Sequence, residues 1–569
     1  MKRGPTDDAG ESAGWAHVRL QGWWRAAWLL PVAVFLGSLA AALRAALPGV
    51  ESHLTYAVDD AYIHMAVAKN FARAGVWGCT PFHFSSSSSS LLWTFLLGVG
   101  YRLFGVHDVT PLVLNVIFAV ATLVVADRWM AWLCGAAPLL RAVALLGILI
   151  ACPLAGMVLL GMEHVLHVLL TIAFGSLAVR ALTASGEDGR ARRAGTVRLC
   201  VLAALLATSR WEGFFLVGPA CLAFLLRRRP GRAIAIAVAS VLPVAAFGAL
   251  SVANGAFFLP NSLVLKAAGE SASGLAAILK PIGPDDLAFF RNEPALLVLT
   301  AASLLGALVQ WRLRGGPWRP QVLLPLFLAA MILLHAHYVF SPTFWVYRYD
   351  AYLAGFGVFV AAVVLAGVRA PAALPAGSLP ALLVVGLTLL LADVREGLVP
   401  QAEIDGIRNT YLEHYQVAQF VGRYYPDRVV VVNDLGAVTY GTQARVLDLV
   451  GLGDVEPLRI MQRTGGYTSR DVLAWTAPYK PRIAILQLGW GWVVPRIPDE
   501  WVKVAEVEVP THHQRIGFFA VDPDEAWILR ANVDQHYARL GRALGYHVKL
   551  RNPEGMNELA LATGPGTAP

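Results

Sequence analysis

Long apolar stretches separated by short polar loops run through the first two thirds of the chain. Windows of roughly bilayer-spanning length fall at 26–47, 109–133, 140–160, 163–182, 196–209, 213–227, 232–254, 294–312, 320–340, 351–369 and 375–393, the fifth and sixth of them short. Arginine-rich loops face the cytoplasm. Here they fall between every second pair of windows: Arg19 and Arg25; Arg128 and Arg141; Arg190, Arg192 and Arg193; Arg227, Arg228, Arg229 and Arg232; Arg312, Arg314 and Arg319; Arg369. A further apolar stretch, 88–105, would move every later arginine group outside if it crossed, so it is expected to be re-entrant or to lie along the surface. The pattern predicts a polytopic α-helical membrane protein with about 11 crossings. Residues 1–25 would form a cytoplasmic segment and 26–394 a transmembrane domain whose first outer loop is 48–108.

Beyond that point the rhythm changes. Strand-like runs at Val429–Val432, Ile483–Leu486 and Phe518–Val521 alternate with helical patterns and Gly/Asp turns. Residues 395–569 are therefore expected to form an α/β domain, extracytoplasmic by the parity of the crossings, with a disordered tail from Gly564.

Composition agrees with a membrane protein. At 57% hydrophobic and 15% charged residues the chain is more apolar than a soluble core requires. The polar start, Met1 to Gly14, precedes no small-residue cleavage site, so an uncleaved amino terminus is expected. A net charge of +8 carried by loop arginines sets topology and implies no nucleic-acid partner. Four of the five cysteines lie in or beside apolar segments, leaving Cys79 in an outer loop, and no disulfide framework or cysteine metal site follows.

The unusual polar groups gather on the outer side: Asp59-Asp60, Glu163-His164, Arg210-Trp211-Glu212, Asn261 with Lys266, and Arg348 through Asp350. A transporter would place such groups near the midplane and show internal repeats; this arrangement suggests a cavity opening outward. A carboxylate there can take a proton from an attacking hydroxyl. A lipid phosphate leaving as a stable anion needs cations rather than an acid, for which Arg210, Lys266 and Arg348 are the candidates. Each has a plainer reading: Arg210 as an ion pair with Glu212, Lys266 as a snorkelling side chain, Arg348 as an interfacial anchor within an aromatic belt of Trp345, Tyr347, Tyr349 and Tyr352. His64 follows Asp60 by one helical turn and could polarise it, help hold a metal, or be a structural partner. Glu163 could cap its helix or act as a second acid. Ser85 to Ser90 reads as a low-complexity polar loop.

Taken together, Asp59-Asp60-Ala61-Tyr62-Ile63, Ser89-Ser90-Leu91-Leu92-Trp93, Gly161-Met162-Glu163, Arg210-Trp211-Glu212-Gly213 and Leu259-Pro260-Asn261-Ser262 through Lys266 resemble the C-type (GT-C) membrane glycosyltransferases that use polyprenyl-phosphate sugars. The likeness is nearest to the bacterial terminal β-1,2-arabinofuranosyltransferase-like group. It covers residues 25–370, and more weakly Asn433-Asp434-Leu435-Gly436 and Asp448 to Gly453. The family pattern has proline where this chain has Leu91, which affects a helix start, and where it has Trp211, which alters a cavity wall, so arabinofuranose as the sugar is carried by analogy only.

The resemblance implies an inverting transferase of the bacterial inner membrane that passes a sugar from a polyprenyl-phosphate donor to an envelope glycan, lipid or protein. Asp59 or Asp60 would be the base. Arg210, Lys266 and Arg348 would bind the donor phosphate, and His64, Glu163, Glu212, Asn261 and Tyr352 would position sugar or acceptor. No cofactor is required; a divalent metal, if used, would be held by Asp59, Asp60 and His64. The alternatives are a non-catalytic polysaccharide-binding scaffold and a lipid-linked sugar transporter.

Overall fold

A computed structural model describes residues 27–186, 188–268, 283, 289–291, 293–338, 348–368, 377–392, 401–491, 493–511 and 514–553. The readings placed on residues 1–25, Trp345, Tyr347, Arg369 and the tail from Gly564 fall outside the described residues, as does the side chain of Lys266.

Each apolar window coincides with helix. The helices of the first two thirds are α1 (Leu29–Ala46), α2 (Asp60–Ala74), α3 (Leu91–Phe104), α4 (Thr110–Cys134), α5 (Pro138–Ala151), α6 (Leu154–Leu159), α7 (His164–Thr183), α8 (Gly189–Ser209), α9 (Phe214–Leu226), α10 (Pro230–Ala253), α11 (Asn261–Ala268), α12 (Pro294–Arg314), α13 (Pro320–Tyr338), α14 (Ala351–Leu365) and α15 (Ser378–Ala392). Among the described residues, six stretches are long and apolar enough to span a bilayer: Leu29–Val50, Thr110–Cys134, His164–Thr183, Pro230–Ala253, Pro294–Leu313 and Pro320–Tyr338. The window 140–160 is divided between α5 and α6 at Cys152-Pro153, where proline cannot continue the backbone ladder. The stretch 88–105 yields the 14 residues of α3, about 21 Å at 1.5 Å per residue; α5, α9, α14 and α15 are similarly short apolar helices. The start of α3 needs no proline, because the Ser90 hydroxyl accepts the Trp93 N–H at 3.2 Å.

Arginines in the loop after α9 and in the first turn of α10 close a helix end. Arg229 donates to the carbonyls of Ala181 and, at 3.0 Å, Ala184, and Arg232 reaches Ala181 at 3.4 Å, so both satisfy acceptors at the carboxy-terminal end of α7.

The carboxy-terminal part is built on a six-stranded sheet of β1 (Val429–Val432), β2 (Arg445–Asp448), β3 (Ile483–Gln487), β4 (Val502–Glu508), β5 (Arg515–Ala520) and β6 (His547–Leu550), in the order β2-β1-β3-β5-β4-β6. β1 runs parallel to β2 and β3; the β3-β5, β5-β4 and β4-β6 pairs are antiparallel. The anticipated strands at 429–432 and 483–486 are present, and that at 518–521 begins three residues earlier and ends at Ala520. The strands β2, β4 and β6 have mixed patterns and were not anticipated.

This part is seated on the first outer loop. Asp59 lies just before α2, and its carboxylate accepts N–H bonds from Gly436 at 2.7 Å and Ala437 at 2.8 Å, at the start of the helix Gly436–Gly441. The two backbones approach so closely that a Cβ on Gly436 would lie 2.3 Å from Asp59 oxygens. Lys69 on α2 donates to the carbonyls of Thr439 and Tyr440, the Tyr440 hydroxyl bonds Asp108, and His83 stands 3.4 Å from Asp454. One continuous apolar core runs from Phe35 of α1 to Phe420 and to Phe518 of β5.

The serine run is also part of this packing. Ser85 to Ser88 and Ser90 are buried, with Ser88 bonded to Thr94 at 2.7 Å and Ser87 to Ser85 at 2.9 Å. The stretch that reads as a low-complexity polar loop is an interior hydroxyl cluster, since small side chains that bond one another can be enclosed without charge.

Two consequences can be measured. Asp59→Ala removes an ionised acceptor from two buried N–H groups and is expected to cost about 2–4 kcal/mol, read as a lower thermal midpoint of the full chain in detergent. The Asp454 carboxylate holds the His83 imidazole above its ordinary range. A raised pKa contributes stability at low pH that is lost as pH rises through it. The midpoint should therefore fall slightly between pH 6 and pH 8, and His83→Gln should flatten that slope.

Candidate functional site

Asp60 begins α2 and turns away from Asp59, because successive helical residues point about 100° apart. Its carboxylate bonds Arg348 at 2.8 Å while its side chain remains 44% exposed. That exposure opens into a cavity of about 170 Å³ bordered also by His64, Ser89, Arg210, Arg348 and Tyr349. Four groups singled out from the sequence, Asp60, His64, Arg210 and Arg348, thus face one space.

Arg210 ends α8 and is wedged between acids. Its Nη1 donates to Glu163 Oε1 at 2.6 Å, its Nη2 to Glu212 Oε1 at 2.7 Å and its Nε to Glu212 Oε2 at 3.1 Å. The plain ion-pair reading holds for Arg210 and Glu212, and Glu163 joins them. All three are buried, a state that charged groups tolerate only when paired and hydrogen-bonded. Arg348 is less committed. It donates to Asp60, to the Tyr349 hydroxyl at 3.1 Å and to the Met162 sulfur, while its Nε has no hydrogen-bond partner among the described residues.

His64 is held from both ring nitrogens. Nδ1 meets Thr94 at 2.9 Å and Ser88 at 3.1 Å, and Nε2 meets Ser89 at 3.4 Å and Glu163 at 3.6 Å. Ser89 also donates to Glu163. The serine run therefore carries the polar floor of the cavity, which its composition concealed.

The remaining candidates are placed differently. Asp59 faces the sheet, so Asp59, Asp60 and His64 are not gathered around a common point; Asp59 instead meets His414 and Asp434. Tyr352 is buried with its hydroxyl on His335 Nδ1 at 3.1 Å and its ring against His167, and it does not border the cavity. Tyr349 is buried as well, with its ring 5.0 Å from the Arg348 guanidinium carbon and 5.5 Å from that of Arg210. Neither tyrosine lies in an interfacial belt; both pack inside. Asn261 donates to the Leu452 carbonyl at 3.0 Å, tying α11 to a loop of the carboxy-terminal part. Leu452 borders the cavity, so that part contributes to its wall.

The two departures from the family pattern meet. Leu91 and Trp211 both border a smaller pocket of about 20 Å³, and Ser89 lies between it and the main cavity. Leu91 was expected to affect only a helix start; it also forms wall.

In the carboxy-terminal part, Asp448 is a turn residue whose carboxylate accepts the N–H groups of Val450, Gly451 and Gly453. Burial pushes it up to about 6. Burial, reinforced by the neighbouring Asp59 carboxylate, pushes Asp434 well above the ordinary carboxylate range.

A family model described as a domain of unknown function (DUF8728) matches residues 403–528, which include β1 to β5. No curated protein matches the chain. Among solved structures, ArnT from Cupriavidus metallidurans in the apo state is 13% identical with a TM-score of 0.51, over 85% of this chain and 97% of that one. The same organism's ArnT bound to undecaprenyl phosphate is 14% identical with a TM-score of 0.52, over 86% and 98%. At such identities the likeness is one of architecture: the chain has an ArnT-like fold.

Proposed function

We propose that the chain is an inverting glycosyltransferase that takes a sugar from a polyprenyl-phosphate donor at the outer face of a bacterial inner membrane and passes it to a hydroxyl of an envelope glycan, lipid or protein. The observation that carries this reading is Asp60: an exposed carboxylate, paired with Arg348, facing a cavity at the end of a helical bundle. The fold shared with an ArnT structure bound to undecaprenyl phosphate supports the donor class. In this reading about 11 helices cross, the amino terminus is inside and residues 395–569 lie outside. Arabinofuranose as the sugar rests on the motif resemblance alone.

The acceptor hydroxyl oxygen attacks the anomeric carbon and Asp60 takes its proton. The bond from that carbon to the phosphate oxygen breaks on the opposite face, and the electron pair leaves with the polyprenyl phosphate. Arg348, with an unpartnered Nε, is the guanidinium best placed to receive that phosphate. Asp60, Glu163 and Glu212 outnumber Arg348 and Arg210 by one charge, so phosphate binding calls for a further cation. Lys266, four residues after Ser262 of the cavity wall, is the candidate. Glu163 and Glu212 act by fixing Arg210, and Glu163 together with the serine hydroxyls fixes His64; Asn261 and Tyr352 are positioning residues farther out.

The test is release of free polyprenyl phosphate by the purified full chain, in detergent with envelope acceptor, from a panel of polyprenyl-phosphate sugars. Asp60→Asn is expected to slow release from the preferred donor by about 10²–10⁴-fold with an unchanged thermal midpoint. Release from no donor by the wild type would overturn the enzyme reading in favour of a binding scaffold. Arg348→Gln is expected to raise the donor KM by about tenfold or more, the loss of one charge-assisted contact. An unchanged KM would remove Arg348 from the phosphate site.

A further inference from the structure

Behind Asp60, on the other side of the α2 terminus, Asp59 enters a second polar cluster drawn from three separate elements. His414 Nδ1 stands 3.9 Å from Asp59 Oδ1 and 3.4 Å from Asp434 Oδ2. One donor atom from each of the three lies within 4.8 Å of the others. Donors bound to one first-row divalent ion at about 2.1 Å stand roughly 3.0–3.4 Å apart, so small inward rotations would close this set on a single ion.

Four further features fit a cation. His414 belongs to a π-helical turn, Tyr411–Tyr415, a local widening that recurs at functional sites. Its other nitrogen, Nε2, faces Glu413 at 3.7 Å, the carboxylate-histidine arrangement that orients metal-binding imidazoles. Gln487, at the end of β3, is only 5% exposed, its Oε1 has no hydrogen-bond partner among the described residues, and it borders the same cavity of about 10 Å³ as the other three, whose described wall holds no lysine or arginine. That space suits one ion or one water. Finally, the N–H groups of Gly436 and Ala437 fix the Asp59 carboxylate while leaving it lone pairs to share.

We propose that Asp59, His414 and Asp434, with the amide oxygen of Gln487, form a binding site for one divalent cation of the Zn²⁺ or Mn²⁺ class. Imidazole beside carboxylates suits these ions better than the all-oxygen preference of Mg²⁺ or Ca²⁺. The ion neutralises two facing carboxylates and clasps the first outer loop to the carboxy-terminal part. It holds the start of α2, and through it the backbone that presents Asp60. The site is separate from the cavity and stands whether or not glycosyl transfer is the activity.

The test uses the full chain in detergent, stripped with a chelator, dialysed and titrated with Zn²⁺ or Mn²⁺ alone. About one equivalent should bind and raise the thermal midpoint. His414→Gln and the near-isosteric Asp434→Asn should each weaken binding at least tenfold, while His64→Gln leaves it intact. X-ray absorption at the zinc edge of the loaded wild-type protein should show a single imidazole among oxygen ligands, a readout independent of how any variant folds. No stoichiometric binding by the wild type, equal binding by the variants, or loss of the ion in His64→Gln would each overturn the assignment.

Discussion

The geometry of the whole site follows from where α2 begins. Two adjacent carboxylates at a helix terminus cannot face the same way, because each residue turns the next by about 100°. Asp59 is thereby given to the backbone of the helix Gly436–Gly441, and Asp60 to the cavity and Arg348. One short motif joins two structural tasks: it seats the carboxy-terminal part and presents an acid. A shift of one residue in the start of α2 would exchange the two carboxylates and leave the Gly436 and Ala437 N–H groups without their acceptor.

Around this pivot the cost of burying charge is met by pairing. Arg210 between Glu163 and Glu212 forms a triad with well-aligned bonds, which is how buried ions are tolerated, since removing one partner would strand the others in a medium of low dielectric. Arg348 differs because its partner Asp60 is half open to the cavity and its Nε has no hydrogen-bond partner among the described residues. The triad is therefore suited to rigidity and the Asp60-Arg348 pair to exchange with a ligand. The neutral hydroxyls of Ser88, Ser89 and Thr94 extend this polar interior without adding charge, and fix the ring of His64 from both sides.

The carboxy-terminal sheet is coupled to the bundle at several points rather than tethered beside it. Its parallel strands β1 and β3 point their carboxy-terminal ends, with Asp434 and Gln487, toward Asp59, and Leu452 from the loop after β2 forms part of the cavity wall. The seam between the two parts is thus polar where it meets α2, and apolar where Phe420 and Phe518 continue the common core.

Helical segments and the strands at 429–432 and 483–486 were legible in the sequence, because hydropathy and periodicity are local properties, and the polar residues Asp60, His64, Arg210 and Arg348 that it singled out do border one cavity. The sequence also placed Glu163 and Glu212 near the site through their motifs. It did not separate Asp59 from Asp60, since that depends on the partner each finds far along the chain, Gly436 for Asp59 and Arg348 for Asp60. Nor did it reveal that the serine run is interior, that Tyr352 packs against His335 and His167, or that His414 and Asp434 converge on Asp59. Those outcomes are long-range contacts, and their energetics arise only when distant segments exclude water from one another.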